Sequence, residues 1–439
     1  MAEPFPGSPA RFAFATSDPM LARAAWARLA EPGDVVAGAL VSALGAGEAL
    51  EWVAGAAARP GEAAADLARL EPGTRVARVL SGDATGAFPA DASASDAAPA
   101  GPTHGEPGPG TRSPARALME GVRRWASRLA SLTPAQDLEA LDRMNGTLLV
   151  PGDPRWPGGL DALGPAGPHA LWVRGRTDLA GLARRSLSLV GSRASTGYGE
   201  RVARDLASGL VTRGFTVVSG GAHGIDAEAH RAALAGGGTT LVLLASGVDR
   251  LYPAGNRRLM EAAMDDGAVV SEVPPGSTPF RQRFLARNRV IAALGSATVV
   301  VEAATRSGAL STANHATRIL RPVGAVPGPV TSMASAGCHE LLRSGAAVCV
   351  TDAGEAAELA GGLACDAAPL RRGEHRAGDG LDQVTKAVLD ALPVRRAAPV
   401  ESVARVAGIA VDETRAKLGR LLLGGLAEKQ GACWRRAPR

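Results

Sequence analysis

The stretch TPFRQRFLARNRVIAALG, residues 278–295, places Arg281, Arg283, Arg287 and Arg289 around Phe284 and Asn288. No Asp or Glu occurs between Glu272 and Glu302, so the local sequence supplies no counter-charge. Fixed guanidiniums bind phosphodiester oxygens, and an aromatic face among them stacks on an unpaired base, worth about 1–3 kcal/mol per base. A core phenylalanine flanked by solvated arginines is the plainer explanation of Phe284 taken alone. Four arginines with no acid nearby favour an anion that the chain does not itself provide.

Three small-residue turns accompany this stretch. LVGSRASTGYG (189–199) carries Gly191, Ser192 and Arg193; SGGAHGIDAEAH (219–230) carries Gly220 and Gly221; EAATRSGALSTANHA (302–316) carries Ser307 and Gly308. A strand that ends in such a turn and runs into a helix can bring backbone N–H groups at the helix N-terminus close to a phosphate, and Arg193 adds a charge-assisted contact. Glycines that merely make a tight turn are the bland alternative; two such turns at corresponding strand ends favour an anion site. Asp226 and His230, four residues apart, read as a helical cap and its partner, and His223 as a more exposed group. Asp249, Glu272 and Glu302 fall at or just beyond strand ends, where capping or orienting the arginines is a better fit than acid–base chemistry. Neither G-x-G-x-x-G nor G-x-x-x-x-G-K-[ST] occurs, which argues against dinucleotide binding and P-loop ATP hydrolysis. Cys338, Cys349, Cys365 and Cys433 form no C-x-x-C pair and have no histidine at ligand spacing, so neither a metal site, a cofactor nor a disulfide framework is expected.

These turns need a scaffold. Short β-branched runs at 186–191, 215–220, 239–245, 268–272, 297–303, 322–327 and 347–351, each followed by an amphipathic helical pattern, predict an α/β, doubly wound, mostly parallel sheet. Ligands of such sheets collect at the carboxyl ends of the strands, where all three turns fall. Ahead of the sheet, residues 1–80 read as a small helical module. Residues 81–116, dominated by Ala, Gly, Pro, Ser and Asp, read as a disordered low-complexity insert. The sheet domain is expected over 117–365, with Trp156 and Trp172 as core anchors, and a linker over 366–380. Residues 381–439 give three short helices and a strand-turn-strand about Gly431, the pattern of a winged-helix domain, with Leu418, Leu421, Leu422 and Leu426 on one side of the third helix.

The 439 residues carry a formal charge of +5, nearly all of the basic groups being arginine. Residues 381–439 hold eleven Lys and Arg against six Asp and Glu, while the remainder is balanced, so a nucleic-acid partner would be met by local patches. No run approaches the ~18 apolar residues of a membrane span and the N-terminus lacks a signal pattern, so a soluble cytoplasmic protein is expected.

The ordered set VGSRASTGYG, SGGAHGIDAEAH, ASGVDRLYPAGNRRL, SEVPPGSTPFRQRFLARNRVIAALG, VVVEAATRSGALSTANHA and AVPGPVTSMASAGCHELLRSGA resembles the DNA-processing protein A (DprA/Smf) family over roughly 150–360. The resemblance implies an extended Rossmann-like domain without enzymatic activity that binds single-stranded DNA, forms a homodimer and loads RecA recombinase during natural transformation. Gly191, Ser192 and Arg193 would then hold backbone phosphate, Arg281 would be a basic contact and Phe284 would stack on a base. Arg287, Asn288 and Arg289 would complete the pocket, with Gly220, Gly221, Ser307 and Gly308 among its DNA contacts. The winged helix is left open between duplex DNA, a protein partner and regulation. A related group of Rossmann enzymes cleaves nucleoside monophosphates through a P-G-G-x-G-T-x-x-E loop; the corresponding loop here, EAATRSGALSTANHA, lacks the double glycine and the glutamate, which weakens that alternative. A winged-helix transcription regulator is the third.

Overall fold

The computed structural model describes residues 12–69, 114–362, 365–368 and 380–438. The chain divides into two compact units, residues 1–368 and 369–439.

The first unit begins with helices α1 (Pro19–Leu29), α2 (Val35–Leu44), α3 (Ala46–Ala58) and α4 (Pro60–Arg69). Asp18 and Asp34 start α1 and α2 by accepting bonds from two backbone N–H groups each, which satisfies donors that the helix itself leaves free. Trp26, Leu50 and Val53 close their core. The next helix, α5 (Pro114–Leu129), sends Leu118, Val122 and Trp125 into the same core, Trp125 lying edge-on to Trp26 at 5.6 Å. Residue 117, where the sequence reading begins the sheet domain, falls inside this helix, whose apolar stripe packs on the N-terminal helices. Of the expected insert, Pro114–Arg116 already belong to this helix and 81–113 lie outside the described residues.

After α6 (Pro134–Asp142), a nine-stranded sheet follows, in the order β1-β2-β6-β5-β4-β3-β7-β8-β9. Its strands are β1 (Gly146–Leu149), β2 (Leu171–Gly175), β3 (Ser186–Gly191), β4 (Thr216–Gly220), β5 (Thr240–Leu244), β6 (Ala268–Ser271), β7 (Ala297–Glu302), β8 (Val323–Ala325) and β9 (Val348–Cys349). From β6 to β9 the pairing is parallel, whereas β1 and β2 add an antiparallel edge. All seven predicted strands are present, that at 186–191 with the expected bounds and the other six trimmed by one to three residues. Strands β3 to β7 are mostly apolar, with only Ser and Thr (and Glu302 at the end of β7) among their polar residues, because helices cover both of their faces.

The chain climbs from β3 to β6 on one side and returns to β7 on the other, so the sheet reverses direction between β3 and β7. The crevice at their carboxyl ends is where an open α/β sheet binds its ligand. Helix α7 (Leu179–Arg184) precedes β3, and helices α8 (Gly197–Thr212), α9 (Ile225–Ala235) and α10 (Arg257–Asp266) connect β3 to β6. Helix α11 (Arg281–Leu294) joins β6 to β7, and α12 (Gly308–Arg318) follows β7. Two strand serines fix α11 in place: Ser188 donates to the Ile291 carbonyl (2.7 Å) and Ser186 to that of Leu294 (2.9 Å), both fully buried. Helices α13 (Ala336–Arg343) and α14 (Ala353–Ala360) close the unit.

The second unit has helices α15 (Gln383–Ala391), α16 (Val400–Ala407) and α17 (Val411–Leu423). Strands β10 (Ala398–Pro399), β11 (Ala427–Gln430) and β12 (Cys433–Arg436) form an antiparallel sheet in the order β10-β12-β11. Gly431 turns the hairpin at φ +60°, as the sequence predicts. Leu418 and Leu421 enter the core with Trp434 and Leu426 packs against it, but Leu422 faces outward. Adjacent helical residues point about 100° apart, so Leu421 and Leu422 do not share a side. Residues 369–379 of the expected linker lie outside the described residues. No single helix among the described residues is long and apolar enough to cross a membrane.

Candidate nucleic-acid interface

A cavity of about 700 Å³ opens at the β3/β7 switch point. It is walled by the turn after β3 (Gly191, Ser192, Arg193), the first turns of α11 (Arg281, Phe284) and the turn into α12 (Arg306, Ser307, Gly308), with Arg287, Asn288 and Asp226 also lining it. Nine of the twelve site residues expected from the sequence therefore share one cavity. Gly220, Gly221 and Arg289 do not line it.

Arg289 is the clearest departure. Its guanidinium is buried and makes a bidentate pair with Glu272 (2.7 and 2.6 Å), with a further bond from Nε to the Ala166 carbonyl (2.6 Å). Nor does Arg283 wait for an external anion, because it pairs with Glu31 of the N-terminal module (2.9 and 3.2 Å). The expectation that the anions of these arginines lie outside the chain is thus corrected for two of the four. Tertiary folding brings in acids that the local sequence lacks.

Arg287 is buried as well, donating to the Leu243 carbonyl and, through Nε, to Asn288 Oδ1 (3.3 Å). Gly220 is small for its sake: a Cβ there would stand 2.5 Å from the Arg287 guanidinium. Gly221 makes room in the same way for the Met260 side chain. Both glycines shape packing behind the site. Asn288 donates from Nδ2 to the Gly308 carbonyl (3.1 Å), tying α11 to the first turn of α12. Ser307 caps α12, accepting from Ala309 N–H (3.3 Å), so the positive end of that helix dipole faces the cavity.

The turn after β3 behaves differently from the expectation of an open N–H cradle. Glu302, at the end of the neighbouring strand, accepts from Thr196 N–H (2.9 Å) and Thr196 Oγ1 (2.7 Å), and the Ser192 N–H is bound to the Glu302 carbonyl (2.7 Å). The anion at the start of α8 is therefore built in. What the turn offers outward is Arg193, exposed at the mouth.

Arg193, Arg281 and Arg306 form the outer rim, all exposed. Among the described residues none of the three makes an ion pair. Between them lies Phe284, with the Arg193 guanidinium 4.7 Å above its ring, Arg287 at 5.9 Å and the Tyr252 ring at 6.0 Å. An arginine resting on an aromatic face gains about 0.5–2 kcal/mol, so Arg193 and Phe284 act as one pair.

Beneath the rim sits a group that sequence reasoning assigned elsewhere. Asp226 does not partner His230; it lines the cavity, and burial pushes its carboxyl up to about 6, against the pull of Arg287, the Ser219 hydroxyl, the Ala222 N–H and Arg193. Burial likewise brings Arg287 down to about 10, partly offset by Asp226. His230 donates from Nε2 to the Gly220 carbonyl (2.9 Å) and sets Nδ1 2.6 Å from Thr240 Oγ1; buried, it is pushed down to about 4 and stays neutral. Asp249 caps a turn, accepting from Gly276 N–H (3.0 Å). Sequence reading also missed Arg306 and Tyr252. Arg306 had one available signal, its place in the turn that follows β7. Among the described residues no group of acids, histidines and cysteines is arranged to hold a metal ion.

The family model described as DNA recombination-mediator protein A matches residues 147–360. The chain is 44% identical over 328 residues to a putative DNA processing protein DprA of Mycobacterium tuberculosis, covering 72% of this chain and 82% of that one. Among solved structures it is similar to DNA processing protein A of Streptococcus pneumoniae, at 34% identity and a TM-score of 0.49, over 53% of this chain and 80% of that one. It is also similar to a Helicobacter pylori DNA processing protein A described for its single-stranded DNA binding mode, at 28% identity and a TM-score of 0.44, over 48% and 93%. With the order of its motifs, the extent of the match and the identity over most of a full-length relative in agreement, the chain belongs to the DNA recombination-mediator protein A (DprA/Smf) family.

Proposed function

We propose that the cavity binds single-stranded DNA irrespective of sequence, and that the protein shields incoming strands and passes them to RecA recombinase as a non-enzymatic mediator. One observation carries this reading: three exposed arginines without acid partners among the described residues surround a half-buried aromatic ring at the mouth of a cavity at the sheet's switch point. Arg193, Arg281 and Arg306 supply phosphate contacts, the dipole of α12 adds to them, and Phe284 presents a face to an unpaired base. A duplex keeps its bases stacked and offers nothing to Phe284, so the single strand binds more tightly. A homodimer, which gives each strand two such sites, belongs to the same proposal.

The second unit we take as a winged helix. Asp412 and Glu413 stand in the first turn of α17, where a groove-reading helix would meet DNA. The exposed Leu422 and Leu423 therefore favour a protein contact over duplex recognition.

Fluorescence anisotropy of the full chain with a mixed-sequence single strand, a second strand of different composition and their duplexes tests the binding. Tighter binding of both single strands, with little difference between them, is expected; equal binding of the duplexes contradicts it. Mediation is read from the rate at which RecA begins ATP hydrolysis on a strand already coated with a single-strand-binding protein. No acceleration on adding the protein removes the mediator part.

A further inference from the structure

The N-terminal helical module lies against the segment that carries the site, at three points. Arg28 on α1 donates to the Pro275 carbonyl (3.1 Å) while pairing with Asp137. Glu31, in the turn between α1 and α2, receives both the Arg283 bonds described above and one from Arg128 of α5 (3.0 Å). Gly33, at φ +81°, comes so close to Arg289 that a Cβ would sit 3.3 Å from its Nε. Behind this turn, Gly38 of α2 packs on the Pro165 carbonyl, where a Cβ would come within 1.8 Å. The module is thus seated with no room to slide.

Arg283 is the joint. Its guanidinium lies 4.6 Å over the Phe280 ring and also donates to the Thr278 carbonyl (3.0 Å). Phe280 precedes α11 without a side-chain cap bond, so the first turn, which carries Arg281 and Phe284, lacks the local anchor that begins α1 and α2. The fold supplies that anchor from a distant element. Burial raises the Glu31 carboxyl, and Arg283 and Arg128 more than reverse this, leaving it ionised below its ordinary range.

Resting on the single-strand reading above, we propose that Glu31 is a positioning residue for the DNA site: it fixes the uncapped first turn of α11 through Arg283, which is therefore a strut and not a phosphate contact. Single-strand affinity then depends on a residue of a module that does not line the cavity, and the module is an integral part of the binding site.

The test compares wild type, Glu31→Gln, Arg283→Gln and the double variant in the full chain. Salt-series binding to a single strand is measured alongside amide hydrogen exchange of residues 278–286 without DNA. Each single variant is expected to exchange faster in that segment and to bind about three- to five-fold more weakly, the size of a partly exposed charge pair. The salt slope stays unchanged, and the double variant is no weaker than either single one. Glu31→Asp, which keeps the charge, recovers part of the affinity. Tighter binding with a steeper slope in Glu31→Gln would mean that Glu31 masks a phosphate ligand, and overturns the proposal, as does a flatter slope in Arg283→Gln. Unchanged exchange at 278–286 overturns it irrespective of DNA. Faster exchange in a protein that prefers no single strand would instead condemn the DNA reading and with it the assigned role of the brace.

Discussion

Two stretches of α11, its exposed first turn and its buried middle, the outer and inner ends of the site, use the same side chain for opposite purposes. At the inner end Arg287 and Arg289 are buried, Arg289 spent on Glu272 and Arg287 on the Leu243 carbonyl and the field of Asp226. At the outer end Arg281 is exposed beside Arg193 and Arg306, with no ion pair among the described residues. One helix thus carries both the frame of the site and its exposed surface, and the number of arginines in the motif overstates the number left free for an external anion. The inner arginines hold α11 to the ends of β5 and β6; the outer ones are left for the proposed strand.

The largest effect belongs to the inner end. Replacing Glu272 by Ala leaves Arg289 buried without its carboxylate, which costs about 3–5 kcal/mol when one partner of a buried pair is removed. Denaturant unfolding should show that loss, whereas an outer variant such as Arg281→Ala should unfold like wild type. If Glu272→Ala is no less stable than Arg281→Ala, the division between frame and surface fails.

Phe284→Ala comes next, weakening single-strand binding by about 1–3 kcal/mol through lost stacking. Because Arg193 rests on the same ring, Phe284→Ala and Arg193→Ala should be less than additive in a double-mutant cycle. Full additivity would separate the two residues and place the base elsewhere.

Asp226 sharpens the comparison by pH, since it sits between frame and cavity. Its carboxyl is held at about 6 in the fold against an ordinary 3.8. Folding therefore takes up a proton between these values: the folded state is favoured below about pH 4, and that advantage is lost as pH rises through 6. Asp226→Asn removes the cost of ionising in place, so relative to wild type it should gain more stability at pH 7.5 than at pH 4. An equal difference at both pH values contradicts the buried, destabilised carboxylate.

Most of the scaffold could be read from the sequence because strand runs such as LSLVG and TVVSG are short and mostly apolar, a pattern that follows from burial on both faces, with Ser188 and Ser219 bonded to backbone carbonyls. Phe284 and the turns could be located because arginines cluster around the one and small residues follow the strands in the others. What could not be read was long-range pairing. Glu31 lies 252 residues before Arg283, and Glu302 reaches back to Thr196 across neighbouring parallel strands. The absence of acids between 272 and 302 is true of the sequence and misleading for the space around α11. Asp226 and His230 show the reverse: four residues apart on one helix, they point to different neighbours. The second unit was legible in its helices and hairpin but not in β10, two residues that pair with β12 at Cys433 and Trp434, too short to leave a pattern.

The most direct measurement is the salt dependence of single-strand binding for wild type and for the combined variant Arg193→Ala, Arg281→Ala and Arg306→Ala. Each phosphate contact contributes about 0.7 to the slope of log affinity against log salt for a single strand. The combined variant should bind weakly, with a slope about 2 units shallower, while its unfolding midpoint stays at the wild-type value. A combined variant that retains the wild-type slope would show that the outer arginines hold no phosphate, and the cavity at the β3/β7 switch point would not be where DNA binds.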